Sequence, residues 1–143
     1  MGYSHRIDTS RRLIVGVYFE NVTKQDVVDY YQSVKDDNNF DPSFDIIDSL
    51  EQVEHIPLSS TDIRVLSAIP ILDRESYHAR VASGNLAFAL SRMSETFREL
   101  QQCHKFSVFR NKTNALQWIN EGREKRNIPL LDLSLDPFEK NIR

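Results

Sequence analysis

The sequence predicts an α/β fold: a sandwich in which about four helices cover a mixed, mostly parallel β-sheet of about five strands. Three observations point there. Apolar runs rich in β-branched and aromatic residues alternate with amphipathic stretches in the order β-β-α-β-α-β-α-β-α. The two leading runs have no helix between them, so they read as a hairpin ahead of parallel crossovers. Finally, a chain of 143 residues with 40% hydrophobic and 27% charged residues is the size and composition of one globular domain.

Tyr3 to Asp8 alternates in character and ends at the polar turn Thr9-Ser10-Arg11. Arg12 to Phe19 is apolar on both faces, the mark of a covered strand. Gly16 interrupts it, either at a bulge or where a helix packs close to the backbone. Thr23 followed by Asp26 caps a helix over 23–36, with Val27, Val28, Tyr31 and Val34 at helical spacing. Asp36-Asp37-Asn38-Asn39 ends it in turn-forming side chains.

Phe44 to Ser49 is the central strand, and the loop His55–Asp62 follows it. Asp45 and Asp48 lie three apart in this extended segment, so they point to opposite faces and cannot share one ion or proton. Asp48 is placed near the strand's C-terminal end, where open α/β sheets present their ligand sites. Ser59, Ser60, Thr61 and Asp62 mark the start of a helix reaching Leu72, with Ser60 or Thr61 as N-cap and Pro70 as a stop or kink.

His78 to Ser83 is a short strand. Asn85 then opens the longest helix, to about Gln102, in which Leu86, Leu90, Met93, Phe97 and Leu100 form an unbroken apolar stripe. Lys105 to Arg110 is the last strand, Asn111 caps the last helix, and Gly122 is its expected stop. That divides the chain into a domain over 1–122 and a tail over 123–143. Arg123 to Asn127 reads as a solvated spacer. Ile128, Leu130, Leu131, Leu133, Leu135 and Phe138 are too apolar to stay in water. Leu131, Leu133 and Leu135 alternate with polar residues as in a strand. The tail is expected to dock on its own sheet edge or, as an exchanged arm over 128–138, on a second copy in a homodimer.

The chemistry is that of a binding protein. His5, His55, His78 and His104 lie on four different elements without metal-ligand spacing, and no phosphate-binding glycine loop or nucleophile elbow occurs. No catalytic residue, metal or cofactor is expected. Cys103 stands alone, the pattern of a reduced cytoplasmic protein, and its neighbour His104 would point about 100° away on a helix. The net charge of −3 argues against nucleic acid as a partner, and no apolar run is long enough to span a membrane.

The order and pattern resemble the STAS family (sulfate transporters and anti-sigma factor antagonists), in particular its SpoIIAA-like branch. Arg12-Leu13-Ile14-Val15 with Thr23 and its helix is similar to the family's second strand and first helix. Phe44-Asp45-Ile46-Ile47-Asp48 is similar to its central strand, and Arg80-Val81-Ala82 to the next. Lys105–Arg110 with Ala115-Leu116-Gln117-Trp118-Ile119 is similar to the closing strand and helix. The likeness covers about residues 3–121.

In the antagonist branch a serine in the loop after the central strand is phosphorylated by a partner kinase. The resemblance places that loop at Ser59, Ser60, Thr61 and Asp62, beyond Asp48, with Ser60 the first choice. Leu58 stands where the family has an acidic residue, and Thr61-Asp62 replaces its small residue and glycine. The first expectation is therefore a non-enzymatic regulatory domain that binds an unidentified protein through this loop. The SpoIIAA-like branch also resembles the CRAL-TRIO lipid carriers. That implies a second expectation: a small apolar ligand or lipid, with peripheral membrane association. Its cleft would be formed by Ile56, Leu58, Ile69, Ile71 and Leu72 against Leu90, Met93 and Phe97.

Overall fold

The computed structural model describes residues 2–101 and 103–139. β1 (Tyr3–Asp8) and β2 (Leu13–Asn21) form the antiparallel hairpin, with Tyr3 opposite Tyr18 and Asp8 opposite Leu13. α1 (Lys24–Asp36), β3 (Asp45–His55), α2 (Ser60–Ser67), β4 (Tyr77–Val81), α3 (Asn85–Leu100), β5 (Lys105–Phe109) and α4 (Lys112–Arg126) follow. The strands lie in sequence order, β1-β2-β3-β4-β5, and every pairing after the first is parallel. The mixed, mostly parallel sheet with four helices is thus the architecture expected.

The two faces of the sheet bury different cores. Leu13, Val15, Ile47, Ala79 and Val81 meet Ala115, Leu116 and Ile119 of α4. On the other face Ile14, Tyr18, Ile46 and Val108 meet Tyr30, Tyr31 and Val34 of α1 and Leu66 of α2, with Ala87 and Phe88 of α3 against them. Gly16 is a packing glycine, because a Cβ there would overlap the Tyr30 ring and hydroxyl. Its absence lets α1 lie on the sheet.

Thr23 caps α1 as expected: its hydroxyl accepts from the Asp26 N–H, and Asp26 accepts from the Thr23 N–H in a capping box. The central strand is longer than expected and runs on to His55, so Asp48 sits well inside it rather than near its end. α2 ends at Ser67, short of Leu72. The Ser67 hydroxyl bonds back to the Ile63 carbonyl, and Pro70 keeps the next residues out of the helix. Gly84, not Asn85, is the N-cap of α3. Asn85 instead accepts from the Arg110 guanidinium. α3 ends at Leu100, and the expected terminus at Gln102 lies outside the described residues.

The last helix does not stop at Gly122. A Cβ on that residue would strike the Tyr77 ring, so this glycine too serves packing. The helix continues to Arg126 and stops at Asn127, which takes the left-handed conformation (φ 58°). The supposed spacer is structural. Arg123 donates to Asp45 at 2.9 Å and to the Arg12 carbonyl, while Arg126 grips the same carboxylate with two N–H groups at 3.0 Å. Tyr77 N–H completes the shell at 2.8 Å.

Beyond Asn127 the tail folds back on its own chain. Leu131 is buried, Leu135 and Phe138 pack beside it, and the Asn120 amide holds the Leu131 backbone with two bonds. No strand forms there, and Leu133 is exposed, so the expected alternation of Leu131, Leu133 and Leu135 is replaced by turns around Asp132.

Candidate functional site

Three features converge on the α1–α2–α3 face. The first is the cap of α2. Ser59 is its N-cap, in place of the expected Ser60 or Thr61: its hydroxyl accepts from Asp62 N–H at 3.1 Å, and Asp62 accepts from Ser59 N–H at 3.0 Å. The backbone bond from Ser59 leads and holds the Asp62 carboxyl below its ordinary range. Ser60 and Thr61 are exposed in the first turn. Of the serines in the loop, Ser59 is engaged in the cap and Ser60 faces solvent.

The second feature is the orientation of α3. The residues that turn inward are Ala87, Ser91, Ser94 and Arg98, of which Ser91 and Arg98 are fully buried. They are the apolar stripe displaced by one position, about 100° around the helix. Leu86 and Leu100 are consequently 64% and 75% exposed, and Val65 of α2 is 46% exposed on the neighbouring helix. Leu90, Met93 and Phe97 are half-buried, with the Arg64 guanidinium over the Phe97 ring at 5.7 Å. The stripe is thus exposed at its two ends, Leu86 and Leu100, and half-buried between them.

The third feature lies under α3. Asp48 and Arg80 are direct partners across β3 and β4. Arg80 Nε donates to Asp48 Oδ1 at 2.8 Å, and His78 Nε2–H donates to Oδ2 at 2.7 Å. All three side chains share one sheet face, as the alternation of His78 and Arg80 requires. His104 stacks on His78 at 5.5 Å between centroids, and Arg98 descends from α3 to donate to Tyr31 Oη at 2.8 Å.

Burial works against the Asp48 charge, but Arg80 and the two donors outweigh it and hold the carboxyl ionised far below its usual range. Burial pushes His78 down to about 4 and His104 down to about 2, so both rings are neutral. Several buried atoms here have no hydrogen-bond partner among the described residues: the Tyr18 and Tyr30 hydroxyls, His78 Nδ1, one Arg98 nitrogen and both His104 nitrogens. A cavity of about 40 Å³ opens beside this cluster, with Tyr18, Arg80, Ser91 and Ser94 among its lining and Ile56, Leu58 and Leu90 on its apolar side.

Sequence reasoning named part of this. Ile56, Leu58 and Leu90 of the expected cleft come together at the cavity. Ile71 is core, Ile69 and Leu72 pack against that core, and Met93 and Phe97 are half-buried in the middle of the α3 stripe. Asp48 is fully buried in its ion pair, whereas Ser59, Ser60 and Thr61 are exposed. Reading His78 and Arg80 as same-face neighbours of Asp48 on adjoining strands would have revealed the cluster. Cys103 is half-buried beyond the end of α3, its sulfur 3.8 Å from the Ser67 carbonyl. No described helix is long and apolar enough to cross a membrane.

Neither a family model nor a curated protein matches this sequence. Among solved structures it is similar to an uncharacterised protein of the DUF3478 family with a SpoIIAA-like fold, from Shewanella loihica PV-4. The identity is 16% and the TM-score 0.56, over 82% of this chain and 94% of that one. The five-stranded mixed sheet and this likeness together show that the chain has a SpoIIAA-like fold.

Proposed function

We propose that the protein is a non-enzymatic STAS-like regulatory domain that binds a protein partner through α3, α2 and the loop 55–62. The observation that carries this reading is the exposure of the α3 stripe at its two ends. Leu86 and Leu100 at the two ends of α3 and Val65 on α2 are large apolar side chains that the isolated chain leaves in water, with Met93 and Phe97 half-buried between the two leucines; exposed apolar side chains of this kind mark interaction sites. Ser60, exposed at the first turn of α2, is where a phosphate would alter that surface. It would sit at a helix N-terminus, beside the Asp62 carboxylate, and set about two negative charges against a docking partner.

A partner that copurifies with the wild-type chain should be lost with Leu86→Asp/Leu100→Asp and weakened with Ser60→Asp. It should be retained with Leu130→Asp, which changes a leucine 58% exposed in the tail on the α4 side. Equal recovery with all three variants would overturn the reading. A second reading is favoured by one observation, the cavity at Ile56, Leu58 and Leu90. α2 is only 8 residues long, so lifting it would admit a small apolar ligand.

A further inference from the structure

Deepening the second reading, and resting on it, we infer that the cavity under α2 and α3 recognises an apolar ligand with an anionic head: a monocarboxylate whose carboxylate meets Tyr18, Arg80, Ser91 and Ser94 while its chain follows Ile56, Leu58 and Leu90.

The lining is divided in the way such a ligand requires. Val22, Val27, Leu50, Ile56, Leu58, Ile63 and Leu90 supply carbon, and the polar lining is Tyr18, Arg80, Ser91 and Ser94. Tyr18 is 1% exposed, and its hydroxyl has no partner among the described residues. Buried hydroxyls are ordinarily satisfied, because an unmade bond costs the full desolvation of the group. Arg80 carries five N–H donors, of which Asp48 takes two, at 2.8 and 3.3 Å. The Tyr18 hydroxyl therefore remains in the cavity lining without a partner among the described residues.

Charge points the same way. Among the described residues, Asp48 is the buried carboxylate on this face of the sheet, and it stands against two guanidiniums, Arg80 and Arg98. Among the described residues the Arg98 guanidinium hydrogen-bonds to the neutral Tyr31 hydroxyl and lies over the Tyr31 and Phe106 rings, with no carboxylate paired to it. A second negative charge would balance the interior, and a buried cation is stable only when it is paired. A cavity of about 40 Å³ has room for a few water-sized groups, which suits a planar carboxylate and its first carbons. A longer chain leaves along the apolar side, where α2 gives way.

The test compares octanoate with 1-octanol, equal in chain length and different in head, by titration calorimetry on the full chain and on Tyr18→Phe. That substitution removes only a hydroxyl without a partner, so folding should be unchanged. Octanoate should bind at least about tenfold more tightly than octanol, and Tyr18→Phe should weaken octanoate by about tenfold while leaving octanol unaffected, as expected for one hydrogen bond to a charged group. Ser94→Ala should act in the same direction. Equal binding of the two probes, or octanoate binding indifferent to both substitutions, would overturn the anionic-head inference while the apolar-ligand reading stands. Binding of neither probe would overturn both.

Discussion

Asp48→Asn should destabilise the protein by about 3–5 kcal/mol, because it leaves Arg80 charged and unpaired beneath α3. Asp48 is 0% exposed and accepts from His78 and from two nitrogens of Arg80, so no water can take over its role cheaply. The size of the loss belongs to the stranded charge more than to the pair. Replacing both partners with apolar residues of similar volume, as in Asp48→Leu/Arg80→Met, should cost less than the sum of the single changes. Urea unfolding of the three variants measures this. A loss below about 1 kcal/mol for Asp48→Asn would show that the pair is solvated, as surface pairs are.

The stability of the chain should also fall steeply in mild acid. Burial holds His78 at about 4 and His104 at about 2 in the folded state, whereas both titrate near 6.5 once unfolded. Below pH 6.5 the unfolded chain therefore binds more protons than the folded one, and the folded state loses ground as pH falls. Each ring approaches about 1.4 kcal/mol per pH unit once the unfolded imidazole is protonated, so the two together remove about 3 kcal/mol between pH 6.5 and pH 5. His78 stops contributing below its folded value of about 4, and His104 continues.

Asp48 acts in a separate window, since its stabilisation is present above the ordinary carboxylate range and fades only as pH drops below it. His104→Phe keeps an aromatic ring against His78 and removes two nitrogens without partners. It should halve the slope between pH 6.5 and pH 5. Equal slopes for wild type and His104→Phe would place the acid sensitivity elsewhere.

The hairpin, the central strands and the cap of α1 were legible because their signals are local. Arg12 to Phe19 is apolar on both faces, and Thr23 with Asp26 forms a box within a single turn. Where reading failed, the cause was a partner remote in sequence. Gly122 looks like a helix stop, yet its small size accommodates the Tyr77 ring, and the helix ends only where Asn127 turns left-handed. Arg123 and Arg126 look like a solvated run until Asp45, on a distant strand, fixes them.

The stripe on α3 is the sharpest case. Periodicity shows that Leu86, Leu90, Met93, Phe97 and Leu100 share a side of the helix, but not which side faces the sheet. Here Arg98 reaches inward to the Tyr31 hydroxyl, and Ser91 and Ser94 turn in with it. The two ends of the hydrophobic side, Leu86 and Leu100, are left to the surface.

That orientation is the centre of the functional account, and the unfolding free energy of Leu86→Asp/Leu100→Asp tests it most directly. Both leucines are mostly exposed, so the double substitution should change stability by less than about 1 kcal/mol and leave the far-ultraviolet spectrum unaltered. A loss of about 4 kcal/mol or more, the cost expected for placing carboxylates in a packed core, would show that the stripe faces the sheet and would remove the proposed docking surface.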